Sequence, residues 1–355
     1  MQVETLQSVG ERRTKNVDLR SAARIDALLD ALEDRWAAEQ PDLVELTSSL
    51  RRHVAAGGKR LRPAFCTTGA IGAGADPDSE LLLDVCAALE LLHAFALIHD
   101  DVMDGSPTRR GQPAVHAAFE AEHERNGWRG EPRRTGEGLA VLVGDLAFVL
   151  ADVLLEFAPR RVRTLWQEMR LELVAGQWVD VIGTARGDRD LERARWVARF
   201  KSGRYTVERP LHLGASIAKR MDLLPAYSRV GGPLGEAFQL RDDILGVFGA
   251  SDVTGKPSGD DLREGKPTAL LSIAARRAGE RQRALLTRVG SAHLTDEDVE
   301  ALREVIVATG ALGDVEAEID RLALVSLAAI DDLHVEGGAA TELRELVLRV
   351  AWRDR

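Results

Sequence analysis

The chain has 355 residues, 45% of them hydrophobic and 29% charged, enough to bury a large core. A formal net charge of -10 and a pI near 5.4 argue against a general nucleic-acid binder. Against that background an anionic substrate needs local cations or metal ions. Cys66 and Cys86 stand without CxxC spacing or a histidine cluster and read as small core residues of a reducing, cytoplasmic compartment.

Residues 1–17 are polar, carry no apolar stretch of a secretory signal, and are expected to be flexible; residues 18–355 are expected to form one domain. Over 18–38, Ile25, Leu28, Leu29, Leu32 and Trp36 recur at helical spacing. Pro41 opens a second helix, which Gly57-Gly58 stops. A third starts near Arg62-Pro63 and ends around Gly72-Ala73-Gly74. Asp76 is the expected cap of the next, with Pro77 at its first position. That helix runs through Leu81, Val85, Leu89, Leu92 and Phe95 into an acidic cluster. The polar, arginine- and glycine-rich stretch 120–138 is expected to be a surface loop. Helices are then expected over 139–157, 159–182 and 191–199, with another from Lys201 that has Gly203 as a bend point. The last ones cover 235–247, 267–277, 295–309, 315–333 and 341–350. The apolar run 139–158 carries Asp145, Asp152 and Glu156, so it reads as a buried helix and not a membrane span. With no period-two alternation and no repeat, the expected architecture is one all-α bundle.

The chemistry is concentrated in Leu97-Ile98-His99-Asp100-Asp101-Val102-Met103-Asp104 and the Arg109-Arg110 that follow. On a helix, Asp100 and Asp104 are one turn apart and share a face. Like charges in one turn repel, and aspartate at a helix C-terminus meets the negative end of the macrodipole. A stretch that breaks two local rules marks a site more often than a solvated helix end. All-oxygen ligands of this kind suit Mg²⁺, which completes its shell with water and phosphate oxygens. Roughly 140 residues later, Gln239-Leu240-Arg241-Asp242-Asp243 repeats the pattern on another helix. One such cluster alone reads as a salt-bridged helix end. Two facing helices can hold metal ions with a polyphosphate between them. Lys59, Arg60 and Arg62 beside Gly57-Gly58, then Arg109, Arg110, Lys201, Lys256 and Lys266, supply the cations. This inventory points to two anionic groups, one held through metal and one directly.

In order along the chain stand GGKRLRP, HDDVMD with RRG, GQWVD, KSG, FQLRDD and GKPSGDDLREGK. In these motifs the sequence resembles the trans-isoprenyl diphosphate synthases, the polyprenyl synthetase family, and most of all bacterial geranylgeranyl diphosphate synthases. The resemblance implies an isoprenoid-synthase-type helical bundle around a deep central cavity, a homodimer, and three Mg²⁺ per site. It implies condensation of an allylic diphosphate (dimethylallyl, geranyl or farnesyl) with isopentenyl diphosphate, by ionisation, condensation and proton loss. Asp100 and Asp104 would bind metal, with Asp101 supporting, and Asp242 would bind another ion with Asp243 beside it. Arg109, Lys201, Gln239 and Lys256 would contact the allylic diphosphate, with Ser202 and Lys266 nearby. Lys59, Arg62, His93 and Arg110 would hold isopentenyl diphosphate, and Gln177 and Asp180 match a polar pair near the cavity. Gly246 stands where many members carry a third aspartate, and Ser202 where threonine is commoner.

Product length falls to Phe95 and Ala96, five and four residues before Asp100. One bulky residue with a small neighbour there resembles a floor set for twenty carbons. The bland alternative is that Phe95 is simply core. Rival readings are a farnesyl or longer-chain synthase, a class I terpene cyclase, and a non-catalytic modulatory subunit. The cyclase needs no second diphosphate site, and such subunits usually lose one aspartate cluster.

Overall fold

The computed structural model describes residues 2–250, 258–291 and 293–352, with side chains from residue 14 onward. It is all-α, as expected. The first four helices are α1 (Gln2–Trp36), α2 (Leu43–Ala55), α3 (Leu61–Gly72) and α4 (Glu80–Asp104). A small antiparallel hairpin, β1 (Thr108–Arg109) and β2 (Gln112–Pro113), follows the acidic end of α4. Next come α5 (Val115–Asn126), α6 (Pro132–Leu154), α7 (Arg160–Arg186) and α8 (Leu191–Val197). A π-helical segment (Ala198–Glu208) leads into α9 (Arg209–Ile217) and, after a short 3-10 turn, α10 (Leu224–Phe248). The chain closes with α11 (Asp260–Glu264), α12 (Ala269–Arg277), α13 (Glu280–Leu286), α14 (Asp296–Ala308), α15 (Ala311–Asp331) and α16 (Ala339–Ala351).

Helix α4 has the length and composition of a membrane span, but it lies in the core. Leu82, Val85, Cys86, Leu89, Leu91 and Leu92 have no exposed surface. Being apolar all round is what a helix enclosed by others requires. It packs with α1, α3, α6 and α7 around one apolar cluster that includes both cysteines and Trp166. A second cluster gathers α10, α12, α14, α15 and α16. Helix α3 joins them, giving Phe65 to one and Cys66 and Ala70 to the other.

Four expectations are corrected. Helix α1 runs from Gln2, not from Asp18. Asp76 does not cap α4: it accepts from Asp78 N (2.9 Å) in a local turn, and the helix starts at Glu80 behind Ser79. The expected loop 120–138 shrinks to 127–131. The buried residues of α5 are His116, Phe119 and His123, so two imidazoles hide its inward face from a hydrophobicity pattern. Helix α10 begins eleven residues before 235, at Leu224, with Pro225 in its first turn and Tyr227 and Val230 buried. Gly231-Gly232-Pro233 masks that continuity in the sequence.

The continuous π-helical segment carries Lys201, and its packing depends on glycine. A Cβ on Gly203 would lie 2.8 Å from the backbone carbon of Gly235, and one on Gly235 2.6 Å from that of Gly203. Two glycines facing each other let the segment lie directly on α10. Lys201 and Gln239 are thereby brought to one cavity.

Candidate active site

The polar ends of α4, α7, the π-helical segment and α10 surround a cavity of about 640 Å³. Asp100, Gln177, Asp180 and Lys201 line it, and so do Gln239, Asp242, Asp243, Asp261 and Lys266. Both aspartate clusters therefore reach one chamber, the first through Asp100 and the second through Asp242 and Asp243, while Asp104 stands behind Lys266 and is not among the lining residues. Lys59, Arg62, His93, Arg109, Arg110 and Ser202 line it as well. Lys256 lies outside the described residues.

Two largely buried lysines tie the carboxylates together, and Lys266 joins the first cluster to Asp261. Lys201 Nζ donates to Asp100 Oδ1 (3.0 Å) and Asp180 Oδ2 (2.6 Å). Gln177 Nε2 donates to the same Asp100 oxygen at 3.0 Å. Lys266 Nζ pairs with Glu264 Oε2 (2.6 Å), Asp104 Oδ2 (3.0 Å) and Asp261 Oδ1 (3.6 Å). Burial alone would raise the Asp100 carboxyl, but Lys201, Lys266 and Arg109 outweigh it and hold it far below the usual range. Asp104 moves up, because burial and the nearby Asp100 and Glu264 outweigh Lys266. Asp243 is pushed up to about 8 by burial and by Asp261, although Gln239 Nε2 donates to its Oδ1 at 2.8 Å. Carboxyls crowded in this way are relieved by neutralisation, which a proton or a bound cation supplies in competition. Among the described residues no three carboxylates or imidazoles close around one point. An ion bound here must draw part of its shell from water and substrate, which is how Mg²⁺ binds. The all-oxygen donor set fits that ion.

Asp101 departs from its expected place. It is 1% exposed and is not among the cavity-lining residues, accepting from Arg109 Nε at 3.0 and 3.1 Å. Its support is therefore given to Arg109, whose guanidinium it aims at the chamber.

The basic wall is built on unusual backbone. Arg60 (φ 48°) and Arg110 (φ 54°) both adopt the left-handed conformation, which costs a non-glycine residue about 1 kcal/mol. Gly58, at φ 154°, leaves the space Arg110 uses, since a Cβ there would lie 2.8 Å from Arg110 Nη2. Arg60, which lines the cavity with Lys59 and Arg62, is bound to Glu90 and to Val54 O. His93 is kept neutral by burial and by Arg62 and Arg110.

Three features were not singled out from the sequence. Tyr205 lines the cavity under Arg62, whose guanidinium carbon is 4.1 Å from the ring centroid. Its place four residues after Lys201, one turn along the same segment, was the available signal. Asp261, from the GDDLREGK stretch, fills the space beside Gly246. A Cβ on Gly246 would overlap Asp261 Oδ2 and Cγ and lie 2.9 Å from Oδ1. The third is the orientation of Phe95. Ala96 and Leu97 line the cavity, whereas Phe95 packs in the seam between α4 and α6, with its ring 4.7 Å from Phe148 and 4.6 Å from His99. Five helical residues place it about 140° around the axis from Asp100.

Residues 44–306 match the family model described as Polyprenyl synthetase. The geranylfarnesyl diphosphate synthase of Aeropyrum pernix is 32% identical over 275 residues, covering 74% of this chain and 80% of its own. The geranylgeranyl diphosphate synthase of Methanosarcina mazei is 32% identical over 299 residues, covering 82% and 83%. The crystal structure of geranylgeranyl pyrophosphate synthase from Corynebacterium glutamicum, complexed with isoprenyl diphosphate and magnesium, superposes with a TM-score of 0.91. It is 39% identical, with 96% of this chain and 99% of that one covered. Relatives of this similarity differ in product length but share one reaction. With its two carboxylate walls and its basic wall around one chamber, the chain belongs to the polyprenyl synthetase family and is a trans-isoprenyl diphosphate synthase.

Proposed function

We propose that the protein condenses an allylic diphosphate with isopentenyl diphosphate to give geranylgeranyl diphosphate. The observation that carries this reading is that two carboxylate walls and a separate basic wall share one cavity. Asp100, Asp104 and Asp242 would hold Mg²⁺, of which the resemblance implies three ions, and with it one diphosphate. Bound there, Mg²⁺ neutralises the charge of the leaving diphosphate. Arg109, Lys201 and Gln239 add fixed donors to the same group. The second diphosphate takes Lys59, Arg62, Arg110 and neutral His93. The double bond of isopentenyl diphosphate then attacks the allylic cation, and the departed diphosphate accepts the proton lost. Apolar lining from Ala96, Leu97, Leu173 and Phe238 keeps water from the cation.

Support for twenty carbons comes from the small Ala96 on the cavity wall, with the Phe95–Phe148 pair closing the seam behind it. The Corynebacterium relative points the same way. We further infer a homodimer through the outer face of α6 and α7. On these helices Leu171 is 72% exposed and Trp178 70%, with Leu142, Val149 and Val174 more than half exposed, and Phe157 in the turn that joins them is 91% exposed. Exposed apolar side chains clustered in this way support an interface there. Trp178 directly follows Gln177, so a second copy docked on this face would fix the helix that braces Asp100.

The test is a product assay with Mg²⁺, isopentenyl diphosphate and dimethylallyl, geranyl or farnesyl diphosphate, read by mass spectrometry. A twenty-carbon diphosphate is expected. Fifteen or twenty-five carbons would keep the reaction and discard the chain length. A cyclic hydrocarbon from the allylic substrate alone would mean a cyclase.

A further inference from the structure

The π-helical segment does more than present Lys201. One turn beyond Lys201, two neighbouring residues grip Arg62 from different directions. The Tyr205 ring lies under the guanidinium at 4.1 Å, and Arg62 Nη2 donates to Thr206 Oγ1 at 2.9 Å. Both residues are buried, and Thr206 has no exposed surface. Arg62 Nε and Tyr205 OH, also buried, have no hydrogen-bond partner among the described residues. No carboxylate holds Arg62 among the ion pairs of the described residues, unlike Arg60 and Arg109, which are bound to Glu90 and Asp101. An aromatic face and a hydroxyl orient a guanidinium without neutralising it. A charge that must meet a diphosphate is best held this way, since a carboxylate partner would compete with the ligand.

We propose that Tyr205 and Thr206 are positioning residues that mount Arg62 for the diphosphate of the second substrate. The segment that delivers Lys201 to the first diphosphate thus also sets the aim of Arg62 at the second. One rigid element then fixes the distance between the two anions, and with it the approach of the double bond to the allylic carbon. The inference rests on the assignment of Arg62 to isopentenyl diphosphate made above.

Steady-state kinetics with each substrate varied in turn separates the possibilities. Tyr205→Leu removes the ring, and KM for isopentenyl diphosphate is expected to rise roughly tenfold, the scale of a desolvated cation–π contact. KM for the allylic substrate is expected to stay within about twofold, and kcat to change less than KM does. Tyr205→Phe keeps the ring and is expected to restore the KM. Thr206→Val, nearly isosteric, removes the second tether, should raise the same KM by a smaller factor, and decides the matter alone if Tyr205→Leu does not fold. Added to Arg62→Ala, Tyr205→Leu should raise the KM no further, because the two groups act as one. An unchanged KM in both Tyr205→Leu and Thr206→Val overturns the mount. So does a Tyr205→Phe variant as impaired as Tyr205→Leu, which would assign the function to the hydroxyl. If Arg62→Ala itself leaves the KM unchanged while the wild type makes product, the assignment of Arg62 falls and the mount falls with it.

Discussion

Installing the third aspartate that many relatives carry should damage this protein. In Gly246→Asp the new Cβ overlaps the Asp261 carboxylate, so one of the two side chains must move. Asp261 is restrained by Lys266, 3.6 Å from its Oδ1, and by its place in α11. Two carboxylates forced to about 4 Å repel by about 4 kcal/mol at an effective dielectric constant near 20. Overpacking adds about 1–3 kcal/mol, and rotation or protonation of one carboxyl recovers part of the total. We expect a net loss of roughly 3 kcal/mol and a Tm lower by about 5 °C or more in scanning calorimetry without added metal. Adding Asp261→Ala to Gly246→Asp returns the wall to one carboxylate at this place and should recover most of that loss. A Gly246→Asp protein at least as stable as the wild type would refute the reasoning. A double variant no better than the single one would show that the clash is not the cause.

Three more outcomes follow from the geometry. Phe95→Ala leaves Phe148 without its ring partner, about 7.5 Å along α4 from Asp100, and should lengthen the products read by mass spectrometry. Unchanged products would leave Phe95 a core residue only. Lys201→Gln strips the cation shared by Asp100 and Asp180 and should cost about 3–5 kcal/mol in metal-free buffer, the penalty for breaking a buried pair. Mg²⁺ should then raise the Tm of this variant more than that of the wild type; an equal rise would mean that the lysine and the ion do not share the site. The Asp18 carboxyl, pushed up to about 7 by burial and Glu90 against the pull of Arg60 and Arg349, binds its proton more tightly when folded. Its contribution to stability is full below about pH 4 and is lost as the pH rises through 7. Asp18→Asn should match the wild type in denaturant titrations near pH 4 and exceed it at pH 8, and equal midpoints at both would contradict the shift.

The acidic helices were legible because their residues break local rules in ways that only a site repays. Asp100 and Asp104 crowd the wrong end of a helix dipole, and Asp242 and Asp243 repeat the pattern on a second helix. The ordered motifs then carried Gln177, Asp180 and Lys201 to positions where their side chains do meet Asp100, directly or through the shared lysine. What stayed hidden depends on rotation and on backbone. Spacing gives the depth of Phe95 along α4, but only its angle around the axis shows that Ala96 faces the cavity in its place. The π-helical turn that lays Tyr205 under Arg62 has no hydrophobic period of its own. Asp261 meets Gly246 across fifteen residues, a contact that no local pattern encodes. His116 and His123 concealed the inward face of α5, because imidazole counts as polar until its burial is seen.

The most direct test of the two-walled site is calorimetric titration of the protein with inorganic diphosphate, with and without Mg²⁺. The account predicts that Mg²⁺ adds a binding event beyond any on the basic wall, and that this added event is lost in both Asp100→Asn and Asp242→Asn, although these residues stand on different helices. The absence of any binding that depends on Mg²⁺, or Mg²⁺-dependent binding that survives either substitution, would contradict it.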